Sequence, residues 1–176
     1  TPYRHAAEQV VDLIAKKTGW PLDPCRTDTT PLWGGAIGNI EDYVAQELKA
    51  AGSTSKLAER TLRHLVNFYG TEYKNILVLA DEEPSLADFL SPHAEDIQAQ
   101  VIYAVRYEWA RTVSDVLMRR TSAGSREGLG LDCAGRVAKL MGKTLGWSEQ
   151  KENEEMANYT TFVKKYLLAH LEKKEN

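Results

Sequence analysis

The sequence predicts an all-α fold, a compact bundle of about six helices without significant sheet. Two observations carry this. Apolar residues recur every three to four positions in successive segments, the spacing that lines one face of a helix, and no convincing period-two strand appears anywhere in the 176 residues. Glycine, proline and capping residues then punctuate those segments where helices would stop and start.

In the first segment Ala7, Val10, Val11 and Ile14 share a face while Glu8, Asp12 and Lys16 lie off it. Thr1 can cap this helix, and Pro2 suits its first turn, where a missing N–H costs nothing. Gly19 and Pro21 end it. Pro21, Pro24, Pro31, Gly34, Gly35 and Gly38 mark residues 21–38 as a linker loop. Asn39 caps the next helix, with Ile40, Val44 and Leu48 inward and Gly52 as its end. Ser53-Thr54-Ser55 offers caps for a third, with Leu57, Thr61, Leu65 and Phe68 on one face and Gly70 as its stop. A short helix follows from Thr71 to Ala80, using Tyr73, Ile76, Leu77 and Ala80.

Residues 81–96 hold six acids and no Lys or Arg, which predicts a solvated loop with a helical turn near Leu86–Phe89. The strongest segment runs from about Ala94 to Arg120. Ile97, Val101, Val105, Trp109, Val113 and Leu117 lie four apart, and such a stripe drifts around a straight helix. The segment therefore wraps across its neighbours or breaks near Tyr107. Residues 122–131 are a Gly/Ser-rich loop. Asp132 caps a helix through Val137, Leu140, Met141 and Leu145, ended by Gly146. A last helix, about 152–174, buries Met156, Tyr159, Val163, Leu167 and Leu171.

Composition narrows the function. Lys plus Arg number 22 against 25 Asp plus Glu, a net charge of −3, which disfavours a dedicated nucleic-acid binder. No apolar run reaches the length of a membrane-spanning helix. Cys25 and Cys133 lack clustered partners and read as free thiols. The triplet Asn158-Tyr159-Thr160 is a chance glycosylation match. His5, His64, His93 and His170 are scattered without metal-binding spacing, Asp81-Glu82-Glu83 is a solvated acidic turn, and no serine sits in a nucleophile elbow, so no catalytic or metal-binding residue is assigned. The glycines at 34, 35 and 38, and those at 124, 128, 130 and 135, lack the context of a phosphate cradle. Residues 101–126 carry five arginines and no lysine. Arg106, Arg111, Arg119 and Arg120 form a domain-docking or anion-contact surface on one reading. On the other they are satisfied internally, with Arg111 and Arg119 each four residues from Asp115 and Arg119-Arg120 at a helix C-terminus.

The run from Tyr103 to Thr121, Tyr-Ala-Val-Arg-Tyr-Glu-Trp-Ala-Arg-Thr-Val-Ser-Asp-Val-Leu-Met-Arg-Arg-Thr, closely resembles a block in the C-terminal helical domain of the FAD-dependent glycerol-3-phosphate dehydrogenases and α-glycerophosphate oxidases. Thr1-Pro2-Tyr3-Arg4-His5-Ala6-Ala7-Glu8 is similar to the T-T-Y-R-x-x-A-E segment that closes the family's flavin domain. Pro31-Leu32-Trp33-Gly34-Gly35 resembles its P-L-P-G linker, and Arg136-Val137-Ala138 through Leu145-Gly146-Trp147 its penultimate helix.

The resemblance implies a parent enzyme oxidising sn-glycerol 3-phosphate to dihydroxyacetone phosphate, with FAD accepting a hydride and passing electrons to a membrane quinone, or to oxygen in the oxidases. Residues 1–20 would be the C-terminal helix of the flavin domain, 21–38 a linker and 39–176 the C-terminal helical domain. The opening Thr1-Pro2, without Met, fits a piece of a longer protein. The partner implied is the chain's own N-terminal flavin domain. A cytoplasmic parent, peripheral at the cytoplasmic face of the membrane, is expected. Thr1, Tyr3 and Arg4 match the motif whose helix N-terminus lies near the flavin in the intact enzyme, while Pro2 removes a hydroxyl and an N–H from it. The 176 residues by themselves are expected to bind no FAD. Where the family block continues into an apolar run, Ser122 to Gly128 is polar and is expected to be flexible or differently contacted. The alternative is a stand-alone helical interaction module with no redox role.

Overall fold

A computed structural model describes residues 2–51 and 57–169. Among these, seven helices of ten residues or more are present: α1 (Tyr3–Thr18), α2 (Ile40–Ala51), α3 (Glu59–Tyr69), α4 (Tyr73–Glu82), α5 (Gln98–Tyr107), α7 (Ala134–Leu145) and α8 (Glu149–Phe162). A short helix α6 (Val113–Asp115) runs on as a π-turn, Val116–Arg120, and α8 is prolonged in the same way by Val163–Leu167. The only strand-like pairing among the described residues is a single antiparallel bridge between Phe89 and Ile97. The all-α expectation holds. The expected roles of Thr1, Gly52, Ser53-Thr54-Ser55 and Leu171 lie outside the described residues, as does His170.

α5 is the axis of the molecule. Seven of its ten residues, Ala99 to Val105, are buried, and a helix apolar on all sides must be covered on all sides. Ala99, Ile102 and Tyr103 face a cluster built from α2, α3 and α4, with Val44, Leu62, Leu65, Val66, Tyr73 and Ile76. Val101, Ala104 and Val105 face a second cluster with Val113, Leu117, Val137, Met141, Tyr159 and Val163. Leu140 of α7 packs against both.

Of the two readings of the long i+4 stripe, the break is the one observed. α5 ends at Tyr107, with Glu108 at its C-cap, and Trp109 adopts a left-handed backbone with φ 59°. The chain restarts at Thr112, whose hydroxyl accepts from the Asp115 N–H (3.1 Å) while the Asp115 carboxylate accepts from the N–H groups of Thr112 (3.0 Å) and Arg111 (3.1 Å). This reciprocal capping box starts α6, and Glu155 of α8 adds an acceptor for the Val113 N–H at 3.2 Å. The break turns Trp109 out of the expected core stripe; it is 79% exposed.

Other expectations are corrected. Residues 81–96 are not uniformly solvated: Leu86, Leu90 and Asp96 are buried, and Arg136 holds the segment by donating to the carbonyls of Phe89 (3.1 Å) and Leu90 (2.7 Å). Helix α7 begins at Ala134 without a side-chain cap, because Asp132 accepts instead from the Ser91 hydroxyl at 2.7 Å. The loop after Thr121 is packed rather than loose at its start, with Ser122, Ala123 and Gly124 buried. Ile40, Phe68 and Met156 sit at the edges of their helical faces and remain exposed. Asn39 does cap α2, its Oδ1 accepting from the N–H groups of Glu41 (2.9 Å) and Asp42 (3.1 Å).

Candidate docking surface

α1 buries none of its residues. Tyr3, Val10, Val11, Leu13 and Ile14 are all exposed large apolar side chains. The helix begins at Pro2 and ends at Gly19, whose φ of 73° suits a residue without Cβ. It is amphipathic by sequence, yet among the described residues its apolar stripe meets only the linker. Arg4 donates to the Thr27 hydroxyl at 3.2 Å and lies 3.8 Å from Glu8. Tyr3, Ala7, Val11, Leu22 and Leu32 line an open, mainly apolar groove of about 470 Å³ between helix and linker.

The far end of the linker is anchored to the bundle. The Thr71 N–H donates to the Gly34 carbonyl at 3.0 Å. A Cβ on Gly70, whose φ is 54°, would stand 1.9 Å from that carbonyl oxygen, so the close approach requires glycine there. The Trp33 indole N–H donates to the Tyr103 hydroxyl at 3.4 Å, and the rest of the Trp33 ring is in solvent, 80% exposed.

The sequence-assigned residues do not converge. Thr1 lies outside the described residues; Tyr3 and Arg4 sit together at the start of α1. Arg106 is exposed at the end of α5, in an open recess of about 460 Å³ shared with Glu82, Glu83 and Lys143. The Arg111 guanidinium lies over the Trp109 ring, 5.2 Å from its centre, and Asp115 takes the Arg111 backbone N–H in place of the expected side-chain pair. Arg119 pairs with Asp115. Arg120 lies 3.5 Å from Glu108 and donates to the Glu108 carbonyl at 3.2 Å. Burial pushes the Glu108 carboxyl above the ordinary carboxylate range, and Arg120 only partly opposes this. The break at Trp109 separates Arg106 from the other three and gives Arg119 and Arg120 partners within the chain.

Sequence reasoning missed a buried polar hub behind this surface. Asp96 is fully buried, and its carboxylate accepts from His64 Nε2 (2.8 Å), Gln100 Nε2 (3.0 Å), the Ser122 N–H (2.9 Å) and the Ser122 hydroxyl (2.7 Å). A carboxylate facing it makes Nε2 the protonated nitrogen of His64. Burial opposes the charge on Asp96, but the donors, led by His64 and Ser122, outweigh it and hold the carboxyl below its ordinary value. Gln100 also donates to the Tyr69 hydroxyl (3.1 Å), which donates to the Arg120 carbonyl (2.8 Å). The hub thus ties α3, α5 and the end of α6 together. Among the described residues no group of three or more His, Cys, Asp or Glu is placed to hold a metal ion.

Residues 25–152 match the family model of the C-terminal domain of alpha-glycerophosphate oxidase. The chain belongs to this family. Glycerol-3-phosphate dehydrogenase of Synechocystis is 27% identical over 93% of the chain. The Mycobacterium leprae protein of the same name is 29% identical over 96%, and the mitochondrial one of Saccharomyces cerevisiae 27% over 94%. The chain spans only 28–29% of the length of these relatives.

Proposed function

We propose that the chain is the C-terminal helical domain of an FAD-dependent glycerol-3-phosphate dehydrogenase, residues 1–20 forming the last helix of the flavin domain, 21–38 the linker and 39–176 the accessory domain. The observation that carries this reading is α1: an amphipathic helix with no buried residue, in a chain whose relatives are more than three times as long. An apolar stripe of this size is stable in water only when covered, and the N-terminal portion of the protein is the occupant of choice. The stand-alone module finds no such support, since the relatives match nearly the whole chain within much longer proteins.

FAD, held by the N-terminal portion, would supply the hydride acceptor for sn-glycerol 3-phosphate, with electrons passing on to quinone at the cytoplasmic face of the membrane. Thr1, Tyr3 and Arg4 contribute at most an edge contact, through the free N–H groups of the α1 N-terminus. No helix among the described residues is long and apolar enough to cross a membrane.

Two preparations test the reading. The full-length gene product should copurify with flavin and oxidise glycerol 3-phosphate with an artificial acceptor, and the 176-residue chain should do neither. Flavin absorbance on the chain alone, or a full-length product inactive toward glycerol 3-phosphate with flavin bound, overturns it.

A further inference from the structure

We propose that the recess between the linker and the α3–α5 face is a socket for a basic side chain, an arginine or lysine, presented by the N-terminal portion of the protein; the identity of that occupant rests on the docking reading above. The recess holds about 300 Å³ and is lined by Trp33, Phe68, Tyr69, Tyr103, Glu72 and Glu108. Its walls are aromatic: Tyr69 and Tyr103 meet edge to face at 5.5 Å, Phe68 stands 5.9 Å from Tyr69, and Trp33 and Phe68 form an exposed rim. Aromatic faces attract cations, most strongly where solvent is excluded.

The carboxylates decide the sign of the guest. Among the described residues Glu72 receives only neutral donors, Asn75 at 2.8 Å, the Tyr103 hydroxyl at 3.3 Å and the Thr71 hydroxyl at 3.4 Å. No Lys or Arg among the described residues lies within ion-pairing distance of it. Among the described residues Glu108 has one cation, Arg120, whose Nε stands 3.5 Å from its Oε2; both atoms are buried and neither makes a hydrogen bond, so the pair is loose. One internal cation against two carboxylates leaves the socket negative. A guanidinium suits it best, because a planar fork stacks on rings and pairs with a carboxylate together.

Continuity points to the N-terminal portion as the source. Leu32 lines both this recess and the groove beside α1, so the two surfaces join along the linker. Whatever covers α1 therefore reaches the socket. The Gly34–Gly70 contact holds the linker at its edge, so the socket is formed before its guest arrives.

Hydrogen exchange on the full-length protein and on the 176-residue chain tests this. Segments 67–72 and 103–109 should exchange about tenfold more slowly in the full-length protein. Glu72→Lys and, separately, Trp33→Ala should abolish that difference while the protection of α1 persists. Trp33 is so exposed that its truncation leaves the fold intact, which keeps the test decisive if the Glu72 variant fails to fold. Protection of α1 without protection of 67–72 refutes the socket and spares the docking reading. Protection of neither refutes both. Protection of 67–72 that appears in the chain alone and grows with its concentration assigns the surface to a second copy and also overturns the proposal.

Discussion

Asp96 shows how much one buried carboxylate can organise. Four donors from three parts of the chain converge on it, and of these only the Gln100 amide has a second acceptor, the Tyr69 hydroxyl, among the described residues. Replacing it with Ala leaves buried donors unsatisfied and should cost about 3 kcal/mol or more, read as a lower urea midpoint. Its pH signature has a definite sign. The folded pKa is depressed, so the stabilisation is complete above the ordinary carboxyl value of about 4 and is lost as the pH falls through the folded value. Melting temperature should therefore drop in acid, and Asp96→Asn should flatten that acid limb. An unchanged limb would assign it to other carboxylates. The cysteines are a second test at this scale. Cys133 is buried, and desolvation, aided by Asp132, pushes its thiol up to about 12, whereas Cys25 is exposed. Iodoacetamide at neutral pH should modify one thiol per native chain, Cys25, and both after unfolding. Equal labelling of both in the native state contradicts the burial of Cys133.

Between α5 and α6 the sequence carried a signal that its hydrophobic period concealed. Thr112 and Asp115 have the spacing of a capping box, but an apolar residue at every fourth position leaves a wrapping helix and a break near Tyr107 equally open, and only the break puts Val113 and Leu117 in the second core cluster. The cost falls on Trp109, a bulky residue in the left-handed region. Trp109→Gly should thus stabilise the chain by up to about 1 kcal/mol in urea unfolding; a loss of that size would show that the indole is needed where it lies. The linker anchor was illegible for a different reason. Gly34 and Gly70 are separate punctuation marks in sequence, and only tertiary structure brings a carbonyl of one against the Cα of the other. Gly70→Ala should destabilise by about 2 kcal/mol and release Trp33 from Tyr103, seen as a shift in tryptophan emission. In the acidic stretch 81–96 the density of charge masks Leu86 and Leu90, whose burial holds the same segment against the bundle.

The whole molecule divides into a part that stabilises itself and a part that does not. Residues from α2 to α8 share two clusters joined through α5, and the helical periods that built them were readable in advance because burial and period are the same physical fact. α1 has the same amphipathic signature and buries nothing, since periodicity announces a face without naming what covers it. A helix of this length is marginal alone in water. Its ties to the rest, Arg4 to Thr27 and the open groove beside Leu22 and Leu32, are surface contacts of little net worth. Removing residues 1–20 should therefore leave the melting temperature of the chain within about 3 °C, the shift expected for less than about 1 kcal/mol in a domain of this size. The same deletion should lower helical ellipticity and reduce any apolar self-association. In the full-length protein, loosening α1 from its partner with Val11→Asp should instead weaken the docking of the whole domain, seen as faster proteolysis within residues 21–33. If the truncated chain melts many degrees lower, α1 belongs to the helical domain and the covering partner proposed for it is unnecessary.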